Sequence, residues 1–318
     1  MPPASSAAVV IEDLSKRFDR TIALDEVSLQ IGTGELFGFI GPDGAGKTTL
    51  FRILVTLLLP DAGRATVLNR DVTSDVWELR RRVGYMPGRF SLYPDLSVEE
   101  NLRFFASVFG ATVEEQYDLI APIYDQLAPF KDRRAGALSG GMKQKLALCC
   151  ALVHRPEILF LDEPTTGVDA VSRREFWELL GRLKRSGLTI VVSTPYMDEA
   201  DRCERVALMQ RGHVLAIDAP ARIAESFGRP LFAVRARDRY SLLLAVREYA
   251  NAATVFPFGD VLHYTDRRDG AGHAPDEIAK DLGDYLRGRG FADVEVSRTP
   301  PTIEDSFMAR MGEPERAA

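Results

Sequence analysis

A short glycine-rich run limits the possible folds of this chain more than any other feature. It fits the pattern G-x-x-x-x-G-K-[ST] and consists of Gly41, Pro42, Asp43, Gly44, Ala45, Gly46, Lys47 and Thr48. Glycines allow the backbone to curl tightly, so that successive N–H groups turn inward and form a site for an anion. In this pattern Lys47 reaches the β- and γ-phosphates of a nucleotide, and the Thr48 hydroxyl holds Mg²⁺. The run therefore predicts a site for a nucleoside triphosphate.

The segments on both sides of this run support the prediction. Residues 35–40 are largely apolar and typical of a short buried strand, and residues 49–59 have the pattern of a helix. This order places the phosphates at a helix N-terminus, where free N–H groups and the helix dipole favour an anion. The context favours a phosphate-binding loop over an ordinary glycine-rich turn.

Strand and helix patterns alternate along the first two thirds of the chain. Residues 9–14 and 27–31 alternate between apolar and polar side chains, which predicts antiparallel strands. Residues 158–161 and 188–192 are short and apolar, which predicts buried strands of a parallel sheet with helices between them. Such a sheet binds ligands beyond the C-terminal ends of its strands. From about residue 219 the pattern changes, and we interpret the remainder as a small α+β domain.

Composition and charge disfavour several classes of protein. The 318 residues carry a net charge of −6, which argues against a nucleic-acid-binding surface. No stretch approaches the ~18 apolar residues that a membrane-spanning helix needs, and the first residues lack the basic region of a secretory signal. If the protein works at a membrane, we therefore expect that another chain brings it there. The three cysteines have no metal-binding spacing and are expected to be buried thiols.

Two carboxylates follow the apolar segment at residues 158–161. A pair at the end of a buried strand fits a Walker B element. Asp162 is expected to bind Mg²⁺, directly or through water, and Glu163 is expected to polarise the attacking water. Taken alone, the pair fits an acidic turn equally well. The phosphate-binding loop upstream favours the catalytic interpretation.

A second glycine-rich turn opens a helix at residues 138–145. Ser139, Gly140 and Gly141 lie in this turn, which can bind a second anion by the same physics as the first loop. A dimer explains why a chain with one nucleotide site has two such turns. In a dimer, the second turn of each subunit can cap the nucleotide of the other.

The order of these motifs resembles the ATP-binding subunit of an ABC transporter, of the bacterial multidrug-exporter type. The resemblance covers residues of about 8–217. Its matching segments are 41–49 for Walker A, 138–145 for the signature loop, 161–164 for Walker B, 167–169 for the D-loop, and 92–101, 143–145 and 301–307 for the exporter type.

The resemblance implies a fold and its ligands. The fold is an α/β P-loop ATPase with an antiparallel β-subdomain, a helical subdomain and a small α+β C-terminal domain. Its implied bounds are 8–218 for the ATP-binding domain, about 90–155 for the helical subdomain and 219–312 for the extension. ATP and Mg²⁺ are the implied ligands, with Glu163 catalytic and Thr48 and Asp162 on the metal. The implied ATP-binding residues are Phe18, Gly41, Pro42, Asp43, Gly44, Ala45, Gly46, Lys47, Thr48, Thr49, Asp162 and, from the signature loop, Ser139, Gly140 and Gly141.

The aromatic residue in this set has an alternative interpretation. In the family an aromatic ring stacks on adenine, and Phe18 stands at the corresponding position. A lone phenylalanine in a strand fits a core position equally well. The sequence leaves both interpretations open.

The resemblance also implies partners. They are an integral membrane permease and a second ABC ATPase subunit, identical or different, with no nucleic acid. The chain would then lie in the cytoplasm on the inner face of the cell membrane and power the export of drugs or other hydrophobic compounds. Residues 84–101 resemble the region that grips the permease. There we expect contacts through Phe90, Leu92 and Tyr93, rather than an ordinary packed loop.

Three positions depart from the family's pattern. Gly88 stands where the family has a glutamine that senses Mg²⁺ and the attacking water. Pro195 stands where it has a histidine that contacts the γ-phosphate, and proline has no N–H to replace it. Asp43 stands where many members have asparagine, and its charge should weaken binding unless it points outward.

The departures at Gly88 and Pro195 are expected to slow hydrolysis without abolishing ATP binding. In one interpretation the chain carries a slow or degenerate site, and its signature loop completes a competent site on a different subunit. In the other, a homodimer hydrolyses ATP through Glu163 alone.

Two other functions compete with transport. A soluble ABC protein that acts on the ribosome or on DNA is disfavoured, because the chain has one ATPase domain, no heptad run and an acidic net charge. A non-hydrolysing regulatory subunit that senses nucleotide is kept open by Gly88 and Pro195, whereas Glu163 argues against it. We assign no role to the charged residues expected on solvated helix faces, which are Arg173, Arg174, Asp198, Glu199 and Asp201.

Overall fold

The chain forms two compact units. The computed structural model describes residues 7–89, 91–269 and 272–311. The first unit ends at Pro220 and the second begins at Ala221. Within the described residues, no helix combines the length and apolar character needed to cross a membrane.

The first unit combines two sheets with several helices. Its strands are β1 (Ala7–Phe18), β2 (Thr21–Gly32), β3 (Leu36–Ile40), β4 (Ala62–Val67), β5 (Arg70–Asp71), β6 (Val83–Met86), β7 (Ile158–Asp162), β8 (Thr189–Thr194), β9 (Arg205–Gln210) and β10 (His213–Asp218). Its helices are α1 (Lys47–Leu54), α2 (Val76–Arg82), α3 (Val98–Val108), α4 (Tyr117–Tyr124), α5 (Gly140–Leu152) and α6 (Ala170–Arg185). Helix α7 (Pro220–Glu225) begins at the last residue of this unit, and the segment Met197–Arg202 forms a 3-10 turn.

The central sheet is mostly parallel, in the order β10-β9-β3-β8-β7-β6, and only the edge strand β10 is antiparallel. Strands β3, β7 and β8 are buried along their whole length, as expected of a sheet covered on both faces. The register pairs Ile40 with Thr194 and Asp162 with Ser193. These strands therefore end together at one edge of the sheet, and the predicted α/β fold is confirmed.

A smaller antiparallel sheet joins the same hydrophobic core. Its strand order is β2-β1-β4-β5. Strands β1 and β2 form a long hairpin that closes where Phe18 pairs with Thr21. Buried side chains of this sheet, such as Ile11 and Leu24, belong to one cluster with Phe39 of the central sheet. The predicted antiparallel β-subdomain is confirmed.

Helix α1 is shorter than the sequence pattern indicates. The pattern predicts a helix over 49–59, but α1 ends at Leu54. Thr56 has a φ of 65°, a left-handed conformation that a β-branched residue rarely adopts. Arg80 stabilises it, because its guanidinium donates 2.9 Å hydrogen bonds to the hydroxyl and to the carbonyl of Thr56. A tertiary contact therefore overrides the local helical preference.

A helical segment connects β6 to β7. Helix α3 begins at a capping box, in which the Ser97 hydroxyl accepts from the Glu100 N–H at 3.1 Å and the Glu100 carboxylate accepts from the Ser97 N–H at 2.7 Å. The fully buried amide of Asn101 accepts from the Tyr93 N–H and donates to the carbonyls of Tyr93, Leu96 and Ser97. These bonds fix the loop before α3.

The second unit is an antiparallel sheet packed against helices. Its elements are β11 (Leu231–Arg235), α8 (Arg239–Arg247), β12 (Ala252–Phe258), β13 (Val261–Asp266), α9 (Pro275–Gly288), β14 (Glu295–Thr299) and α10 (Ile303–Met311). The strand order is β12-β13-β11-β14. Phe232, Tyr264 and Leu282 are fully buried in its core. A 2.6 Å hydrogen bond from His263 Nδ1 to Asp305 joins β13 to α10. This arrangement is the expected α+β fold.

A chain of aromatic rings packs α1 against the central sheet. Phe51 on α1 makes edge-to-face contacts with Phe39 of β3 and Phe160 of β7, with ring centroids 5.8 and 5.6 Å apart. All three side chains are fully buried. Such pairs add to the burial of large apolar surfaces. They hold α1 against β3, which leads into the glycine-rich loop, and against β7, which ends at Asp162.

We predict that Phe51→Ala lowers the free energy of unfolding by about 3–5 kcal/mol, because it leaves a cavity behind α1. Phe18→Ala is the matched control, since Phe18 is 46% exposed, and its effect should stay below about 1 kcal/mol. Urea denaturation monitored by circular dichroism measures both values. Equal effects of the two substitutions would contradict this account of the core.

Candidate functional site

The glycine-rich loop connects β3 to α1, as predicted. Gly46 precedes α1 with a φ of 103°, in the left-handed region that glycine tolerates. A Cβ at Gly46 would lie 2.4 Å from the Ala23 carbonyl oxygen, and one at Gly41 would lie 2.1 Å from that of Met209. Neighbouring backbone therefore requires glycine at both ends of the loop. The loop is exposed at residues 42–44, and the first N–H groups of a helix have no partner within the helix, so they can bind an anion.

Lys47 is buried and makes several short contacts at the loop. Its ammonium donates to the Gly41 carbonyl at 2.7 Å and to the Pro42 carbonyl at 3.0 Å. It also lies 3.4 Å from a carboxylate oxygen of Glu163. A buried ammonium needs such partners. The predicted phosphate-binding lysine and the predicted catalytic glutamate therefore lie side by side.

Asp162 ends β7 with its carboxylate buried beside two hydroxyl groups. The same oxygen, Oδ1, accepts from Thr48 at 3.1 Å and from Ser193 at 2.6 Å. Within the described residues there is no cluster of three or more histidine, cysteine or acidic side chains that could hold a metal ion. Mg²⁺ needs no such cluster, since it is usually held by one or two protein oxygens together with phosphates and water. The paired oxygens of Thr48 and Asp162 fit this ion.

Glu163 adopts an unusual backbone conformation with a φ of 50°. A non-glycine residue in this region is strained and is held there by its surroundings. Its N–H donates to both the carbonyl and the hydroxyl oxygen of Ser193, each at 3.0 Å. Its carboxylate also accepts a 3.4 Å hydrogen bond from the Thr166 hydroxyl. Ser193 thus fixes Asp162 and Glu163 together, although the sequence analysis assigned it no role.

A tyrosine hydroxyl on the neighbouring strand stays neutral beside these carboxylates. Burial and, to a lesser extent, the negative charge of Asp162 together raise the pKa of Tyr85, on β6, to about 12, against the opposing effect of Arg52. At neutral pH the phenol therefore adds no negative charge near Asp162.

The two departures from the family's pattern lie next to this cluster. A Cβ at Gly88 would lie 3.0 Å from the Asp162 carbonyl oxygen and 3.7 Å from Glu163 Cβ. Pro195 directly follows β8, which ends at Thr194. A side chain at position 88 would therefore begin beside Glu163, and neither Gly88 nor Pro195 has a side-chain hydrogen-bond donor.

Other residues of the predicted site lie around the loop. Pro42, Asp43 and Gly44 are exposed, and Thr49 is half-buried on α1. Because Asp43 is exposed, its carboxylate has room to point outward, in which case its charge would not weaken phosphate binding. Phe18 lies at the tip of the β1–β2 hairpin and is 46% exposed, with the Lys16 ammonium 5.5 Å from its ring centre. The core interpretation of Phe18 is therefore wrong.

The second glycine-rich turn caps α5. The Ser139 hydroxyl accepts from the Met142 N–H at 3.3 Å, and both Ser139 and Gly140 are exposed. Gly141 is buried against α6, where a Cβ would lie 2.6 Å from the Ser172 hydroxyl oxygen. A Cβ at Gly140 would face the Gly167 carbonyl at 3.5 Å. In this chain the turn therefore contacts the start of α6, and its exposed residues remain accessible to a ligand.

Two of the expected solvated positions are not solvated. Glu199 is only 2% exposed, and Arg173 is half-buried with its guanidinium 4.3 Å from the Tyr196 ring centre. The expectation is wrong for these residues because Glu199 points at hydroxyls of neighbouring loops rather than at water. Arg174, Asp198 and Asp201 are exposed, as expected.

A glycine-rich loop between strand and helix, with an acidic pair at the end of an adjacent parallel strand, defines a P-loop nucleotide-binding protein. The family model described as ABC transporter matches residues 24–166. Nod factor export ATP-binding protein I of Burkholderia pseudomallei is 40% identical over 313 residues, which are 97% of this chain and 98% of that protein. This chain belongs to the ABC transporter family, as one of its ATP-binding ATPase subunits.

Other similarities agree with this assignment. The probable multidrug ABC transporter ATP-binding protein YbhF of Escherichia coli is 42% identical over 211 residues, which are 66% of this chain. The match spans only 36% of that longer relative. The solved structure of CbiO1 from Clostridium perfringens, part of an ABC transporter complex, has 27% identity and a TM-score of 0.62, covering 68% of this chain and 90% of that one. The dimeric, post-hydrolysis ATP-binding cassette MJ0796 with ADP and phosphate has 27% identity and a TM-score of 0.60, covering 66% and 98%.

Proposed function

We propose that this chain binds Mg²⁺–ATP at its glycine-rich loop, hydrolyses it with Glu163, and so powers export through a separate membrane permease. The observation that carries the proposal is the cluster at the edge of the sheet, where Lys47 lies 3.4 Å from Glu163 and Thr48 lies 3.1 Å from Asp162. Phosphate, metal and water would all meet at this point. The proposed ATP-binding residues are those of the sequence analysis.

Each residue of the cluster has a distinct proposed task. Backbone N–H groups of the loop and of α1 bind the phosphates, and Lys47 exchanges its contacts with loop carbonyls for phosphate oxygens. Thr48 and Asp162 hold the Mg²⁺, which neutralises charge that develops on the phosphates. Glu163 accepts a proton from the attacking water. The strained backbone of Glu163, fixed by Ser193, aims its carboxylate at that water.

We further propose that two ATPase subunits enclose the nucleotide. Ser139 and Gly140 are exposed at the start of α5, so they can contact the phosphates bound by another subunit, while Phe18 stacks on the adenine. The solved MJ0796 cassette is a dimer, which supports this arrangement by similarity. Because Gly88 and Pro195 supply no side-chain donor, we propose that hydrolysis at this chain's own site is slow, in a homodimer or beside a different ATPase subunit.

An apolar cavity near α2 and α3 is the proposed docking site for the permease. Its volume is about 550 Å³, and its walls include Leu57, Trp77, Arg81, Leu92 and Val108. Trp77 is 75% exposed there, which is unusual for so large an apolar ring. The cavity overlaps residues 84–101, where the sequence analysis predicted docking. Of the residues named there, Phe90 lies outside the described residues, Leu92 is buried in the cavity wall, and Tyr93 is half exposed.

The proposed setting follows from these partners. Docked on a permease, the chain would lie in the cytoplasm on the inner face of the cell membrane. The names of its relatives refer to multidrug and Nod factor export. We therefore propose that the transported molecule is a drug or another hydrophobic compound, chosen by the permease.

Glu163→Gln should reduce ATP turnover by about 100-fold or more, because an amide cannot accept the proton. ATP affinity should stay within about twofold of the unaltered chain, since the loop and Asp162 remain. The measurement is phosphate release by the purified chain, together with ATP binding by calorimetry. Glu178→Gln, at an exposed position on α6, is the control and should turn over ATP normally.

A chain that binds ATP without hydrolysing it would support a different interpretation of the site. Binding of ATP by the unaltered chain without turnover would contradict hydrolysis at this site. It would favour either a degenerate site whose signature loop serves a different subunit, or a regulatory subunit that senses nucleotide. The regulatory function is supported by Gly88 and Pro195, which replace the glutamine and the histidine that the family has at these positions.

Trp77→Glu should release the chain from the membrane fraction of its own cells, because it places a charge in the apolar cavity. The membrane-bound fraction should fall about tenfold, as for the loss of a central interface residue. Tyr240→Glu is the matched control, since Tyr240 is 72% exposed but lies in the second unit. Equal retention of both variants, with ATP affinity intact, would rule out docking through this cavity.

A further inference from the structure

We propose that Glu199 is a positioning residue of the ATP site, which holds the loop between Glu163 and Asp169 against the end of β8. The proposal rests on the proposed function, since the loop would serve hydrolysis by Glu163. Glu199 lies at the centre of a buried hydrogen-bond network that belongs to none of the sequence motifs.

Glu199 links two separate segments through its two carboxylate oxygens. One oxygen accepts from the Thr165 hydroxyl at 2.7 Å, and the other accepts from the Thr194 hydroxyl at 2.6 Å. All three side chains are almost completely buried. A buried carboxylate is costly unless its oxygens are hydrogen-bonded. The buried carboxylate of Glu199 thus connects these two hydroxyls.

Both segments lie next to the proposed catalytic Glu163: one follows it in the chain, and the other is the end of β8, which binds it. Ser193, the neighbour of Thr194 on β8, binds Asp162 and the backbone N–H of Glu163. Thr194 holds Glu199, which holds Thr165, two residues after Glu163. The end of β8 therefore restrains the chain on both sides of Glu163. Such restraint is what a left-handed, non-glycine backbone requires.

Arg173 ties the far end of the same loop to the same turn. It lies in the first part of α6, with Nε 3.7 Å from a carboxylate oxygen of Glu199 and its guanidinium 4.3 Å from the Tyr196 ring centre. Its Nε is buried and has no hydrogen-bond partner among the residues that the structure describes. The contact with Glu199 is therefore one of charge, and stacking on Tyr196 fixes the guanidinium. Arg173 balances the buried charge of Glu199 and limits movement of the loop.

This arrangement separates the positioning of Glu163 from the binding of ATP. The hydrogen bonds of Lys47 to the loop carbonyls and of Thr48 to Asp162 do not involve the residues of this network. Loss of the network should therefore misalign Glu163 and leave the phosphate and metal ligands in place. A lower kcat with little change in KM is the expected signature.

The first test compares two substitutions at one position. Thr165→Val removes the hydroxyl and keeps the branched shape, and should lower kcat about tenfold with KM within about twofold, because small misplacements of a catalytic group are costly. Thr165→Ser keeps the hydroxyl and should restore most of the kcat. Equal kcat values for both variants, or a rise in KM that accounts for the whole loss, would overturn the proposal.

The second test uses neighbouring arginines. Arg173→Ala should lower kcat in the same way, whereas Arg174→Ala should not, because Arg174 is 66% exposed and its carboxylate partner Glu178 is 3.9 Å away on the surface. Equal losses in both variants would contradict a specific role for Arg173.

A third measurement does not depend on hydrolysis. The N–H groups of Thr166 and Val168 donate to the carbonyls of Glu163 and Thr165, each at 3.2 Å. Hydrogen exchange of the full chain should be faster at these amides in Thr165→Val, but not in Thr165→Ser. Unchanged exchange would overturn the positioning role. If the unaltered chain does not hydrolyse ATP, the proposed function fails, and this comparison still decides whether Glu199 holds the loop.

Discussion

The buried carboxylate of Asp162 accepts hydrogen bonds from Thr48, in the first turn of α1, and from Ser193, near the end of β8. Three separate segments therefore meet at one oxygen atom. A buried carboxylate that lacks such donors would be strongly unfavourable, so Asp162 holds the three segments together. The geometry of the proposed ATP site is therefore set largely by the hydrogen bonds to one buried carboxylate.

The sheet determines where this meeting occurs. Parallel pairing aligns the ends of β3, β7 and β8, so that the loop after β3 and the acidic residues of β7 reach the same edge. Behind the site, Phe39, Phe51 and Phe160 fix the distance between α1 and the strands. Above it, Glu199 and Arg173 restrain the loop after Glu163. The hydrophobic core supplies the frame, and buried polar groups set the detailed geometry.

Motifs with a local physical cause could be predicted from the sequence. The glycine-rich loop, the acidic pair after β7 and the parallel sheet all follow from short patterns of residues. Contacts between distant segments could not be predicted, because no local pattern encodes them. Thr56 ends α1 early because Arg80 binds it, and Glu199 is buried because Thr165 and Thr194 face it. Phe18 remained ambiguous until the hairpin placed it at an exposed tip.

The proposed mechanism depends on Thr48 and Asp162 as the residues that hold the Mg²⁺ bound with ATP. The most direct measurement is the ATP affinity of the Glu163→Gln chain, with Mg²⁺ and with EDTA, compared with the same chain carrying Asp162→Asn. We expect EDTA to weaken ATP binding about tenfold when Asp162 is present and less than about twofold when it is replaced. Mg²⁺ and ATP strengthen each other's binding only while the protein holds the ion. An equal effect of EDTA on both chains would contradict the account.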